Sequence, residues 1–269
     1  MSSSPVAFID SGIGGIPYLL ATRAAMPGSR LVYFADNRNF PYGERTVEHV
    51  RALVLEAAAM LMDLENPRAI VVACNTASVV ALEALRERFE IPFIGVVPAI
   101  KPAAELARRG RIGVLATQRT VADPYVSQLI QRYAVHSDVV LVAAGGLVEL
   151  IERSFGAIPP HDLEAALAEP VQQLRAAGVA AVVLGCTHFI HVRDQIEMML
   201  GDAIAVVDSV DGVVRQTVRV AGQDSATPAT GPTPIYLSSS AGPAPSYRHL
   251  SQIHEFELRD AHARNSAHR

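Results

Sequence analysis

Two cysteines, Cys74 and Cys186, have the most reactive side chains in the sequence, and each directly follows an apolar run. Hydroxyl, amide and imidazole groups come next, in the segments Cys74-Asn75-Thr76 and Cys186-Thr187-His188. A helix that begins at such a point directs its backbone N–H groups and the positive end of its dipole at the sulfur, which favours the thiolate. A free cysteine by itself is more often a small core residue. This setting, found twice, indicates two working thiols.

Two thiols of this kind can act as a nucleophile and a resolving partner, as metal ligands or as two proton-transfer groups. A metal pair is poorly supported, because Cys74 has no Cys or His at ligand spacing and Cys186 has only His188 and His191 nearby. A hydrolytic nucleophile needs an adjacent base, and none is evident near Cys74. Proton transfer fits both cysteines, because inversion of a carbon centre removes a proton from one face and delivers one to the other.

Short apolar, β-branched runs alternate with longer amphipathic segments along the chain, which predicts an α/β fold of parallel sheets covered by helices. The clearest helical patterns lie at residues 47–64, 79–90 and 163–177. A polar loop at residues 222–234 precedes a late strand at residues 235–237. The main predicted strands cover residues 6–9, 31–34, 69–73, 93–97, 112–116, 139–143, 180–184 and 203–207.

The strand series is interrupted at residues 98–102, and the strands after the interruption repeat the pattern of those before it. The first strand of each half ends in a hydroxyl-containing turn, Asp10-Ser11 or Thr117, and the third strand of each ends in a cysteine. Ligands bind at the carboxyl ends of parallel strands, so each half would present one cysteine to a shared cleft. We therefore predict two similar, duplicated, doubly wound parallel-sheet domains that face a central cleft, formed by residues 1–98 with 209–269 and by residues 99–208.

Composition narrows the classes of partner. A net charge of -4 and the absence of Trp argue against nucleic acid. No apolar run is long enough for a bilayer, and no targeting segment is evident at the start, so a cytoplasmic protein without membrane contact is expected. Residues 10–15 do not fit the G-x-G-x-x-G spacing, and neither a Walker motif nor an obvious pyridoxal phosphate lysine is present. We expect neither a cofactor nor a metal ion.

Several motifs, in order, resemble those of the glutamate racemases within the aspartate/glutamate racemase group. The resemblance implies interconversion of L- and D-glutamate without a cofactor, with the two cysteines as bases and D-glutamate used for peptidoglycan. It also implies a homodimer. The matching segments are Phe8-Ile9-Asp10-Ser11-Gly12-Ile13-Gly14-Gly15, Tyr33-Phe34-Ala35-Asp36 with Pro41-Tyr42-Gly43, Ala73-Cys74-Asn75-Thr76-Ala77-Ser78, Gly95-Val96-Val97-Pro98-Ala99-Ile100 and Leu184-Gly185-Cys186-Thr187-His188-Phe189.

The resemblance also assigns roles to individual residues. Asp10 would orient the substrate ammonium, and His188 would tune or relay the proton of Cys186, so both join the cysteines as catalytic residues. Asp36 and Glu152 would assist the bases electrostatically. The substrate-binding residues implied by the resemblance are Asp10, Ser11, Tyr42, Gly43, Asn75, Thr76, Thr117, Thr120, Thr187 and His188.

One motif departs from the family pattern. After Cys-Thr-His the family commonly continues with an aromatic residue, Pro and Leu, whereas this sequence has Phe189-Ile190-His191. Other functions stay open at this point: a racemase for aspartate or a related amino acid, a protein that binds an acidic ligand or a partner without turnover, and a thiol-redox or metal protein. The segment Asp10-Ser11-Gly12 favours glutamate, and the two intact cysteines favour catalysis.

Overall fold

Strands and helices alternate along the chain in the computed structural model, which describes residues 4–108, 110–222 and 229–263. The strands are β1 (Val6–Asp10), β2 (Leu31–Ala35), β3 (Ala69–Val72), β4 (Phe93–Gly95), β5 (Ile112–Ala116), β6 (Val139–Ala143), β7 (Ala181–Leu184), β8 (Ala205–Val207), β9 (Thr233–Leu237) and β10 (Phe256–Asp260). The α-helices are α1 (Ile16–Ala25), α2 (Val47–Glu65), α3 (Asn75–Arg88), α4 (Ile100–Ala107), α5 (Gln118–Ala122), α6 (Pro124–Tyr133), α7 (Gly145–Ser154), α8 (Pro160–Ala176), α9 (Arg193–Leu200), α10 (Val210–Ala221) and α11 (Pro245–His254).

These elements fall into two compact units, one drawn from Met1–Val96 and Val210–Arg269 and the other from Val97–Ser209. The first unit contains a six-stranded sheet in the order β10-β9-β2-β1-β3-β4, and each neighbouring pair is parallel. β1 is central, with Ile9 opposite both Phe34 and Val72. All residues of β1, β2 and β3 are buried, as parallel strands covered on both faces require.

The helices α2 and α3 pack against each other on the first sheet and bury apolar residues of β1, β2 and β3 with their own. Thr46 caps α2 by accepting a hydrogen bond from the His49 backbone N–H at 3.3 Å. At the other end of the helix, Asn66 takes the left-handed conformation with φ of 45°. The helices α1 and α10 also pack together, with α1 on β2 and α10 on β3 and β4.

The second unit contains a four-stranded parallel sheet in the order β6-β5-β7-β8. This order repeats β2-β1-β3-β4 of the first unit, so the two halves share one strand topology. Apolar residues of α4 and α6 pack on β5 and β7 in one buried cluster, and α8 and α9 contact β6 and β8 respectively. The predicted α/β class with two similar parallel-sheet domains is confirmed.

Some predicted boundaries are wrong. The helical pattern at residues 79–90 starts too late, because polar residues in the first turn hide the apolar period, whereas the helix start expected directly after Cys74 is observed at Asn75. The late strand begins at Thr233, inside the predicted loop at residues 222–234, of which residues 223–228 lie outside the described residues. β10 has no counterpart among the predicted strands, because it is an edge strand in which Glu257 separates the only two apolar residues.

Candidate active site

The carboxyl edge of the first sheet brings Cys74 next to Asp10. Asp10 ends β1, and the backbone N–H of Ala73 donates to the carbonyl oxygen of Ile9 at 2.7 Å, which extends the pairing of β1 and β3 to the cysteine. Cys74 is 8% exposed, forms no disulfide and is the N-cap residue of α3. The sulfur therefore lies at a helix N-terminus, where backbone N–H groups and the helix dipole favour an anion.

Tyr33, on β2, holds the loop between β1 and α1 through two hydrogen bonds. The Tyr33 hydroxyl donates to the carbonyl oxygen of Gly12 at 2.8 Å and accepts from the backbone N–H of Gly15 at 3.0 Å. A Cβ atom at Gly15 would lie 2.6 Å from the Cβ of Ala73. Glycine is therefore required for this close approach to the residue that precedes Cys74.

Asp10 and Ser11 share a local contact at the start of the same loop. The backbone N–H of Ser11 donates to Oδ1 of Asp10 at 2.6 Å, and the Ser11 hydroxyl lies 3.3 Å from the same oxygen. Both residues are buried. The carboxylate is thus oriented at the end of β1, as a group that binds an ammonium ion requires.

Tyr42 and Gly43 lie in a short 3-10 helix, Tyr42–Glu44, whose position depends on Asp36. The Tyr42 hydroxyl donates to Oδ2 of Asp36 at 2.7 Å. Burial raises the pKa of Tyr42 well above 10, and the negative charges of Asp36, Cys74 and Asp10 raise it further. Tyr42 therefore stays protonated and acts as a hydrogen-bond donor near these groups.

Asn75 is the first residue of α3, and its side chain is 3% exposed. Neither its amide nitrogen nor its amide oxygen has a hydrogen-bond partner among the described residues. A buried polar group without a partner costs about 1–3 kcal/mol, so the amide is suited to a bound ligand. Thr76, next to it, is also buried.

Ser78 fixes the first turn of α3 to the sheet. Its hydroxyl donates to the carbonyl oxygen of Val72 at 2.9 Å and accepts from the backbone N–H of Val96 at 2.9 Å. The turn that carries Asn75 and Thr76 is therefore anchored at a strand end on each side.

The second unit places Cys186 in the same position as the first unit places Cys74. The backbone N–H of Gly185 donates to the carbonyl oxygen of Leu115 at 2.7 Å, which brings the cysteine beside the turn at Thr117. Cys186 is buried, forms no disulfide and precedes a 3-10 helix, Thr187–Val192, rather than an α-helix. With 6 residues against 14 in α3, this helix aligns fewer peptide groups, so its dipole is weaker.

The hydroxyl groups of this unit lie at the corresponding strand ends. Thr117 caps α5 by accepting from the backbone N–H of Thr120 at 3.2 Å, and the two hydroxyl oxygens lie 3.0 Å apart. Thr187 is buried at the start of the 3-10 helix. The arrangement presents hydroxyl groups from two neighbouring strands, β5 and β7, at one edge of the sheet.

His188 connects Cys186 to a buried carboxylate on α7. Its Nδ1 lies 4.0 Å from Sγ of Cys186, and its Nε2 lies 2.9 Å from Oε2 of Glu152. Burial lowers the pKa of His188, but hydrogen bonds to Cys186 and Glu152 and their negative charges raise it, and the pKa ends well above 6.5. These contacts favour the imidazolium form of His188, whose ring lies between a thiol group and a carboxylate.

His191, which stands where the family has Leu, packs on an aromatic residue of the same unit. Its ring centroid lies 4.6 Å from that of Phe155, with an interplanar angle of 55°. Phe155 follows α7, the helix that carries Glu152. The departure from the family motif thus adds a ring contact between the 3-10 helix and the end of α7.

Some residues of the site carry no signal in the local sequence. Ser238 and Asn39 both donate to the Asp36 carboxylate. Ser238 is separated from Asp36 by 202 positions, so no motif connects them.

Within the described ranges there is no group of three or more His, Cys, Asp or Glu suited to a metal ion. None of the described helices is both long and apolar enough to cross a membrane.

Comparisons with known proteins agree with these observations. The model of the Asp/Glu/Hydantoin racemase family matches residues 19–217. The glutamate racemase of Herpetosiphon aurantiacus is 40% identical over 256 residues, which cover 95% of this chain and 98% of that protein. The glutamate racemase of Treponema pallidum (strain Nichols) is 37% identical over 257 residues, 94% of each chain.

A solved structure extends the similarity to the fold. The crystal structure of Escherichia coli glutamate racemase, in complex with L-glutamate and the activator UDP-MurNAc-ala, matches with a TM-score of 0.83 and 31% identity. The match covers 95% of this chain and 97% of the other. The resemblance drawn from the sequence motifs is confirmed, and this chain belongs to the Asp/Glu/Hydantoin racemase family.

Proposed function

We propose that the chain interconverts L- and D-glutamate without a cofactor, with Cys74 and Cys186 as acid and base on opposite faces of the α-carbon. The observation that carries the proposal is the repeated placement of a buried cysteine after the third strand of each sheet. In both units the preceding backbone N–H donates to the first strand at 2.7 Å. Two matched thiols fit a reaction that removes a proton from one face and returns one to the other.

The surroundings of the two thiols differ, which supports separate roles in each direction. Asp10 lies beside Cys74, whereas Ala116 has the corresponding position in the second unit. Cys186 instead has the His188 ring nitrogen 4.0 Å from its sulfur, and Glu152 holds that ring from the other side. By family analogy Cys74 takes the proton from D-glutamate and Cys186 takes it from L-glutamate. One thiolate and one thiol are present before the reaction, and they have exchanged roles after it.

The polar groups at the strand ends fit the remaining parts of glutamate. Asp10 supplies a carboxylate for the ammonium group. The buried Asn75 amide and the N-terminal backbone N–H groups of α3 supply donors for a carboxylate. The remaining binding groups of the first unit are Ser11, Tyr42, Gly43 and Thr76. The corresponding binding groups of the second unit are Thr117, Thr120, Thr187 and His188.

The biological setting follows from the proposed reaction. D-glutamate produced in this way would be used in peptidoglycan synthesis, as the family resemblance implies. Two thiols that work as acid and base must stay reduced, which fits the cytoplasm. We also propose a homodimer, as is common in the family.

The deciding experiment follows the circular dichroism of L-glutamate, and separately of L-aspartate, with metal-stripped protein and no added cofactor. We expect the signal to decay to zero with glutamate and to stay constant with aspartate. Decay with aspartate would instead indicate racemisation of the shorter substrate. A constant signal with both would contradict racemase activity and favour a protein that binds its ligand without turnover.

Two variants and an isotope-exchange experiment can test the two-thiol mechanism. Cys74→Ala and Cys186→Ala should each abolish racemisation while the far-ultraviolet spectrum of the protein stays unchanged. In heavy water the product should carry deuterium at the α-carbon. Near-normal turnover by either variant, or product that retains the substrate's own α-hydrogen, would contradict the mechanism.

A further inference from the structure

Ser238 lies at the end of β9, where the C-terminal part of the chain returns to the first sheet. Its backbone N–H donates to the carbonyl oxygen of Ala35 at 3.1 Å, which continues the pairing of β9 with β2. Its side chain is buried, and its own carbonyl oxygen lies 3.1 Å from Nε2 of His262. The residue is therefore held on both sides by backbone contacts.

Both hydrogen-bonding functions of the Ser238 hydroxyl are directed at the segment after β2. The hydroxyl donates to Oδ1 of Asp36 at 2.6 Å and accepts from the backbone N–H of Arg38 at 3.1 Å. Because a hydroxyl has a single proton to donate, this arrangement orients it toward the carboxylate. The neighbouring backbone N–H of Ser239 donates to Oδ1 of Asn37 at 2.9 Å, which ties the same two segments together.

Asp36 in turn connects Ser238 to Tyr42. The Asp36 carboxylate is buried, and its backbone N–H donates to the carbonyl oxygen of Asp10 at 2.8 Å. One carboxylate oxygen accepts from Ser238 and the other accepts from the Tyr42 hydroxyl at 2.7 Å, while the Asn39 amide donates to both at 3.0 and 3.1 Å. With donors on both oxygens the carboxylate has one orientation, and that orientation sets the position of the phenol.

Tyr42 is where this chain of hydrogen bonds reaches the candidate active site. The phenol is buried in the same apolar cluster as Cys74. The 3-10 helix that begins at Tyr42 also contacts α3, whose N-cap is Cys74. A shift of the Asp36 carboxylate would therefore move Tyr42 and Gly43 relative to the first turn of α3.

We propose that Ser238 is a positioning residue for substrate binding, because its hydroxyl fixes the Asp36 carboxylate and thereby the Tyr42–Glu44 helix beside Cys74. The proposal rests on the racemase function proposed above. It gives the C-terminal return, β9 and the segment after it, a role in the site that the motifs of the first 208 residues do not include. Ser238 acts through Asp36 and Tyr42 and does not itself take part in proton transfer.

The test compares Ser238→Ala with Ser240→Ala, a matched control at an exposed position of the same segment. The lost bond is a hydrogen bond to a charged group, so we expect the KM for glutamate to rise about tenfold in Ser238→Ala. The kcat should change by less than about twofold, because the proton-transfer groups are untouched. Ser240→Ala should leave both constants unchanged.

A double-mutant cycle with Tyr42→Phe separates positioning from a general loss of stability. The Tyr42→Phe variant lacks the hydroxyl that Asp36 orients, so adding Ser238→Ala to it should change KM by less than about twofold. A full additional rise in KM in that background, or an unchanged KM in Ser238→Ala alone, would overturn the proposal. Equal losses of kcat and kcat/KM would do so as well.

A substitute variant and the activity of the wild-type chain make each outcome of the test decisive. If circular dichroism shows that Ser238→Ala does not fold, Ser238→Cys replaces it in the cycle, because a thiol is close in size to the hydroxyl but is only a weak donor. The same two outcomes then apply. A wild-type chain without glutamate racemisation would overturn the proposed function and this proposal with it, whereas an active wild type with an unaffected Ser238→Ala would overturn this proposal alone.

Discussion

Glu152→Gln should shift the alkaline limit of racemisation toward lower pH. Glu152 lies 2.9 Å from Nε2 of His188, and both side chains are buried. Burial alone lowers the pKa of His188, and its contacts with Cys186 and Glu152 raise it well above 6.5. A hydrogen bond to a charged group contributes about 1.5–3 kcal/mol. Loss of the carboxylate removes one of the contacts that raise the pKa of His188, so that pKa should fall.

The assay is the pH dependence of kcat/KM in both directions, followed by circular dichroism. In the wild type, activity should fall as pH rises through the pKa of His188, because the imidazolium that stabilises the Cys186 thiolate is lost. In Glu152→Gln the fall should begin at lower pH, because one of the contacts that raise the pKa of His188 is lost. Glu149→Gln is the matched control, because Glu149 lies on the same helix, is half-exposed and pairs with Arg153 at 3.3 Å. An alkaline limit that coincides in all three proteins would refute the reasoning.

The same pKa shift predicts how stability depends on pH. The folded pKa of His188 is raised above its unfolded value, so the stabilisation is fully present below about pH 6.5 and is lost as pH rises through the folded pKa. Glu152→Gln should reduce this pH dependence of the free energy of unfolding. Urea unfolding at several pH values measures it, and identical slopes in wild type and variant would contradict the assignment.

Three further substitutions test packing and hydrogen bonding within the two units. Gly15→Ala should lower the free energy of unfolding by about 1–3 kcal/mol in urea and reduce racemisation, because its Cβ would lie 2.6 Å from that of Ala73; an unaltered protein would contradict this. Tyr236→Phe should lower the free energy of unfolding by about 1–3 kcal/mol, because the buried Glu65 carboxylate loses the hydrogen bond that the Tyr236 hydroxyl donates. A loss below about 0.5 kcal/mol would contradict this expectation. His191→Leu should lower stability by about 0.5–1.5 kcal/mol through its lost ring contact while kcat stays near normal, and a large fall in kcat would be inconsistent.

Most strands were predictable because their signal is local. Strands buried on both faces consist of continuous apolar, β-branched residues, as in Val6–Asp10 and Ile112–Ala116. β10 was missed because an edge strand is partly exposed, so Glu257 and Arg259 interrupt its apolar pattern. Hydrophobic periodicity therefore finds central strands and overlooks edges.

The candidate site was predictable where it follows a strand end, and hidden where it depends on distant partners. Cys74 and Cys186 are visible because each follows an apolar strand and precedes polar residues. Glu152 was included by resemblance alone, since a charge on a helix is usually solvated, yet the structure buries it against His188. Ser238 gave no signal, because serine is common in loops and its partner Asp36 is 202 positions away.

Local patterns along the chain specify the α/β class, the duplicated strand pattern and the two cysteines, because each depends on residue type and on spacing. Tertiary structure alone decided which buried polar groups pair, including Glu152 with His188 and Asp36 with Tyr42. Burial in a medium of low polarity makes an unpaired charge costly, so these groups find partners across the fold rather than along the chain. Local patterns cannot encode that choice, since only packing brings the partners within hydrogen-bond distance.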